Sequence, residues 1–180
     1  GLLGKAVDSG GNPVTGFTFA ELGDIDGDDK TDLFCLVGNT DLGWYEYNPT
    51  TGNFEVVDVV TGSGFVHGTV GYLSSSAPNH CLISVGNGVQ GLQEFPPGTG
   101  EFVVTASYPN LADLASQQGT WWTVLSLGNV DYDDMPDLVL LGANGRIYWT
   151  EWDGNSDFTL QASLIDPEGG SYTDVAVGSD

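Results

Sequence analysis

Displacing the 180-residue chain by 48 positions, without a gap, lays Gly16, Phe17, Gly23, Gly38, Asn39 and Gly43 on Gly64, Phe65, Gly71, Gly86, Asn87 and Gly91. The same displacement carries Glu46, Pro49, Thr51, Gly52, Phe54 and Val56 onto Glu94, Pro97, Thr99, Gly100, Phe102 and Val104. A displacement of 105 puts Phe17 on Trp122, Gly23 on Gly128, Asp26 on Asp131, Asp28 on Asp133, Asp32 on Asp137, Glu46 on Glu151 and Tyr47 on Trp152. A displacement of 155 lays Phe17 and Gly23 on Tyr172 and Gly178. Such self-similarity constrains the fold more than any composition does, because each unit must bury its faces against its neighbours. It predicts three repeats and the start of a fourth.

Within the first repeat, turn residues separate four short runs of β-branched and aromatic residues: Phe17 to Gly23, Leu33 to Val37, Gly43 to Tyr47 and Phe54 to Val60. Twenty-seven glycines and eight prolines punctuate the chain in the same way throughout. The expected class is all-β. A period near 50 with four antiparallel strands per unit is the pattern of a β-propeller blade, so residues 1–180 read as a single propeller module of three complete blades plus parts of another. The blades are expected at 15–62, 63–112 and 113–168. Residues 1–14 read as the terminal strand of a preceding blade and 169–180 as the first strand of a further one. Unpaired faces and edges at those ends predict that another chain or a further segment completes the ring.

With 25 acidic against three basic residues, the formal charge is −22. That excludes the basic footprint of a nucleic-acid binder and disfavours anionic membranes, leaving cations as the natural partners. No apolar run is long enough to insert in a membrane, and Gly1 to Val7 lacks the pattern of a signal peptide. At 40% apolar residues the chain has the material for a core and is not a disordered acidic tail.

The negative charge is concentrated in "GDIDGDDKTD", residues 23–32, and more loosely in "GNVDYDDMPD", residues 128–137. These stretches resemble the calcium loops of FG-GAP/VCBS-type repeats, found in integrin-α-like and lectin-like propellers and in carbohydrate-active proteins. The resemblance implies a secreted, extracellular protein with a calcium-stabilised propeller that recognises a glycan or a protein partner. Its alternative is a propeller-fold polysaccharide lyase or hydrolase.

Coordination chemistry supports the same sites independently. Carboxylates at alternate positions of a Gly-containing turn, followed by another four residues later, can converge on Ca²⁺, which takes six to eight hard oxygen ligands. By spacing, Asp24, Asp26, Asp28 and Asp32 supply side chains and Lys30 a backbone carbonyl. Asn129, Asp131, Asp133, Asp137 and the Met135 carbonyl form the matching set, giving two Ca²⁺ sites of structural rather than catalytic character. An EF-hand fails the test, since its twelfth position, a Glu, is here Cys35. A solvated acidic turn is the bland alternative. In the middle repeat Tyr72, Ser74, Ser76 and His80 replace the carboxylates, so no ion is expected there.

Other features say less. Cys35 and Cys81 are expected on the same type of blade face, two separate buried thiols rather than a bridge. Motifs of nucleophilic and phosphoryl chemistry are lacking, and no catalytic residue is assigned. His67 and His80 each read either as a structural histidine or as a general base. Trp44 and Trp149 superpose on each other while the middle repeat has Leu92, which makes them candidate stacking residues for a ligand.

Overall fold

The computed structural model describes residues 4–38, 40–71, 73, 80–86, 88–94, 98–133, 135–164 and 172–177, without the side chains of 80, 93, 94 and 105. The described residues form thirteen strands and one helix. β2 (Phe17–Gly23), β3 (Asp32–Val37), β4 (Asp41–Asn48) and β5 (Asn53–Thr61) make one antiparallel meander. β6 (Phe65–Gly71), β7 (His80–Val85), β8 (Gly88–Glu94) and β9 (Phe102–Ser107) make a second, and β10 (Trp122–Gly128), β11 (Asp137–Gly142), β12 (Ile147–Trp152) and β13 (Phe158–Leu164) a third. The all-β expectation holds, and each strand expected in residues 15–62 lies in one of β2 to β5.

The sheets stack because their central strands are apolar on both faces. In β3, Phe34 and Leu36 enter one core with Trp44, Ile83, Leu92 and Phe102, whereas Cys35 points the other way, to Ala6 and Tyr45. In β7, Cys81 and Ile83 face that first core, while Leu82 joins a different one with Trp122, Leu138, Leu140 and Tyr148. The second sheet is thus covered on both sides. Cys35 and Cys81 are both free and buried, as expected, and burial pushes the Cys35 thiol up to about 12, leaving it inert.

Contacts between successive segments follow one rule at three places: β2 against β6, β6 against β10, and β10 against residues 172–177. Residues 172–177 are not a strand, although the first strand of a further blade was expected at 169–180. The Glu21 carboxylate accepts the Val70 N–H, Thr69 Oγ1 accepts the Leu127 N–H at 3.2 Å, and Ser126 Oγ accepts the Val177 N–H at 2.8 Å. Two residues beyond each acceptor is a glycine. A Cβ on Gly23, Gly71 or Gly128 would come within 2.5 Å of Val70, Leu127 or Val177 respectively, so glycine is what lets these segments approach this closely.

Two regions differ from expectation. β1 (Ala6–Val7) pairs in parallel with β5, Ala6 opposite Phe54, and so widens the first sheet instead of belonging to a preceding one. Between β9 and β10 the chain forms α1 (Pro109–Gln118), starting on a proline and burying Leu111, Leu114 and Ala115 at helical spacing. Gly119, at φ 61°, ends it in the left-handed conformation that favours glycine.

Candidate metal loops

The first loop joins β2 to β3 and is organised by its own carboxylates. Asp24 Oδ1 accepts the Gly27 N–H at 2.7 Å, Asp26 Oδ1 that of Asp28 at 3.2 Å, and Asp28 Oδ1 that of Lys30 at 2.9 Å. Ile25, wholly buried, anchors the turn in the core, and its N–H donates to Asp32 Oδ2 at 2.7 Å. The result brings one oxygen each of Asp24, Asp26 and Asp28 within 4.8 Å of one another.

The second loop, between β10 and β11, repeats this bonding position for position. Asn129 Oδ1 accepts the Tyr132 N–H at 2.7 Å, Asp131 Oδ1 that of Asp133 at 3.3 Å, Asp133 Oδ1 that of Met135 at 2.6 Å and Asp137 Oδ2 that of Val130 at 2.5 Å. Here the converging carboxylates are Asp131, Asp133 and Glu151, again within 4.8 Å.

Asp32 and Asp137 stand behind these clusters, both fully buried. Burial pushes Asp32 up to about 7 against the Ile25 hydrogen bond, with the charges of Asp26 and Asp24 adding to the rise. Its Oδ1 has no hydrogen-bond partner, and the Trp44 Nε1 nearby misses bonding geometry and is likewise unpartnered. In the second loop the equivalent bond is made: Trp149 Nε1 donates to Asp137 Oδ1 at 2.6 Å. The register explains the arrangement, because Asp32 lies opposite Glu46 and Asp137 opposite Glu151, with each tryptophan two residues along the same strand. Like charges directly opposed across a ladder are unfavourable.

Trp44 has a different place from the one expected. Trp44 is only 1% exposed and packs on Phe102, with ring centroids 5.8 Å apart, so it is withdrawn as a ligand-facing residue. Trp149 is half-buried and its polar edge is committed to Asp137. Their alignment reflects the shared task of facing a buried carboxylate. Lys30 and Met135 are placed by their N–H groups, each bonded to the aspartate two residues earlier. Lys30 also brings its ammonium to Asp28 Oδ2 at 2.5 Å and Glu46 Oε1 at 3.0 Å. Those bonds, with Asp28 first, raise the Lys30 pKa and lower that of Asp28.

Glu46 and Glu151 escaped the ligand sets read from loop spacing, since they come from the neighbouring strand. Their superposition at a displacement of 105 was the available signal. The Glu151 pKa is raised, by desolvation first and then by the charges of Asp133, Asp131 and Asp137. His67 Nδ1 accepts the Leu125 N–H at 3.2 Å, and burial lowers its pKa. The side chain of His80 and the middle loop with Tyr72, Ser74 and Ser76 lie outside the described residues. No protein-family model matches the chain, and no curated protein matches it.

Proposed function

We propose that this chain is a calcium-stabilised binding module of the β-propeller type, related to FG-GAP/VCBS repeats and serving to recognise a glycan or protein partner outside the cell. The observation that carries the metal reading is the convergence of one oxygen each from Asp24, Asp26 and Asp28 in the first loop, and from Asp131, Asp133 and Glu151 in the second, within 4.8 Å of one another. Carboxylates held this close repel one another, and a divalent cation offsets that repulsion. The second loop reproduces the same turn from different residues, which supports a second ion. Asp24, Asp26, Asp28 and Asp32, with the Lys30 carbonyl, would hold the first Ca²⁺. Asn129, Asp131, Asp133 and Asp137, with the Met135 carbonyl and the added Glu151, would hold the second. All are hard oxygen donors of the kind Ca²⁺ takes.

The ion's part is to tie strand to strand, with binding left to the surfaces the sheets present. A shallow cleft of about 310 Å³ between α1 and β13 has Asn110, Asp113, Gln117 and Thr159 beside Leu114 and Leu160. Isothermal titration of chelator-stripped protein with CaCl₂ tests the metal reading. Two binding events are expected, and the absence of binding at millimolar calcium rejects it.

A further inference from the structure

His67 sits where three sheets approach one another. The β6–β7 ladder shifts register between Phe65 and Gly68, which makes a bulge at His67. The buried Ser84 bridges it, its Oγ accepting the His67 N–H at 3.0 Å and donating to the His67 carbonyl at 3.1 Å. A bulge of this kind re-aims the side chain it carries. The imidazole lies on Phe19 of β2, with ring centroids 4.4 Å apart, and its Nδ1 accepts the Leu125 N–H of β10 at 3.2 Å. Displacements of 48 and 105 set His67 in the same repeat position as Phe19 and Val124. Apolar residues serve the first and third sheets there, and the second carries a group that can take a proton. We propose that His67 is a pH-operated latch between β6 and β10, closed through Nδ1 when the ring is neutral and opened when a proton takes that nitrogen.

The latch is independent of the calcium reading. An Nδ1 that accepts an N–H carries no proton, so the closed state is the neutral ring with its hydrogen on Nε2. A proton from solvent on Nδ1 sets donor against donor, and the N–H of Leu125, a residue only 2% exposed, loses its acceptor. The surroundings act on this equilibrium from every side. β2 brings the Phe19 ring, and its Glu21 accepts from Thr69 Oγ1 at 3.3 Å. β7 brings the Ser84 hydroxyl, already engaged with the backbone, and β10 the Leu125 N–H. Residues 172–177 bring the charge of Asp174, which favours the imidazolium. Burial is the larger influence and holds the His67 pKa below its ordinary 6.5, while Asp174 and then the Gly68 backbone draw it upward. A pKa lowered by folding contributes stability that is fully present above 6.5 and is lost as pH falls through the folded value. Thr69, two residues along, keeps its bond to the Leu127 N–H at 3.2 Å, so acid loosens this junction without parting it.

The test uses the full chain in chelator between pH 7.5 and 5. In the unmutated protein, imidazole ¹⁵N shifts of His67 should show the Nε2–H tautomer at pH 7.5. The protection factor of the Leu125 amide against hydrogen exchange should fall roughly tenfold as the ring titrates, while that of Leu127 changes less. His67→Gln, which keeps an uncharged acceptor, should hold Leu125 protection constant over the same range. An Nδ1–H tautomer at pH 7.5 overturns the proposal, as does Leu125 protection that fails to follow the His67 titration. An equal acid loss of Leu125 protection in His67→Gln also overturns it, by assigning the effect to general loosening.

Discussion

The loops at 24–32 and 129–137 share four backbone-to-side-chain hydrogen bonds in the same order but solve their charge problem differently. The first carries an internal ammonium and leaves Asp32 Oδ1 unpartnered. The second replaces Asp24 by a neutral amide, dispenses with the ammonium and satisfies Asp137 with Trp149. Surroundings differ as well: Ile25 is fully buried between two sheets, whereas its counterpart Val130 is 38% exposed. Equivalent turns can therefore be held from without, by packing, or from within, by a completed hydrogen-bond set.

The largest effect expected is that of the ions themselves. A ligand that binds only the folded state at about a hundred times its dissociation constant stabilises by about 2.7 kcal/mol per site, roughly 5–10 °C in midpoint for a chain of this size. Asp26→Ala should remove the share of the first loop and Asp131→Ala that of the second, with the double variant insensitive to calcium. Differential scanning calorimetry in calcium and in chelator measures all four proteins. Loss of the whole calcium effect from either single change would mean that the loops act as one unit.

Next in size is a contrast between the two tryptophans in calcium-free protein. Trp149→Phe removes a 2.6 Å bond to a buried carboxylate and should cost about 2 kcal/mol. Trp44→Phe breaks no hydrogen bond that meets bonding geometry and should cost less, on the order of 1 kcal/mol from the lost ring volume. Urea unfolding of both variants decides the matter. Equal losses would show that packing alone sets the value of this position and that the Asp137 bond contributes nothing net.

Much of this architecture was legible because its signals are periodic. Gly23, Gly71 and Gly128 repeat since each strand junction needs the same close approach, and Asp26/Asp131 and Asp28/Asp133 repeat because the same turn is built twice. What could not be read was non-periodic or tertiary. α1 occurs once, although Pro109, Gly119 and the spacing of Leu111 and Leu114 did mark it locally. Trp44 and Trp149 carry a repeat signal that is silent about direction; only the register of β3 against β4 puts Trp44 on the face of the buried Asp32. Lys30 was read for its backbone carbonyl, and its ammonium's grip on Glu46 depends on a strand sixteen residues away.

The smallest predicted effect separates the strands that lead into the two loops. β2 carries Glu21 where β10 carries Ser126, so only the first approach titrates. Burial pushes the Glu21 carboxyl up to about 7 from its ordinary 4.5, against the opposing hydrogen bonds from Thr69 and the Val70 N–H. Because the folded state holds this proton more tightly than the unfolded chain, its favourable contribution is fully present below pH 4.5. It is lost as pH rises through about 7. Partial exposure screens the group, which leaves roughly 1 kcal/mol to be read over that window. Glu21→Gln keeps an acceptor for Val70 and Thr69 but cannot ionise, so its stability relative to the parent should improve steadily between pH 4.5 and 7.5. Urea midpoints of the two proteins across this range, each in chelator, give the difference directly. A difference that stays constant with pH would show that the first junction holds an ionised carboxylate at no cost, and that the β2 and β10 approaches are electrostatically equivalent.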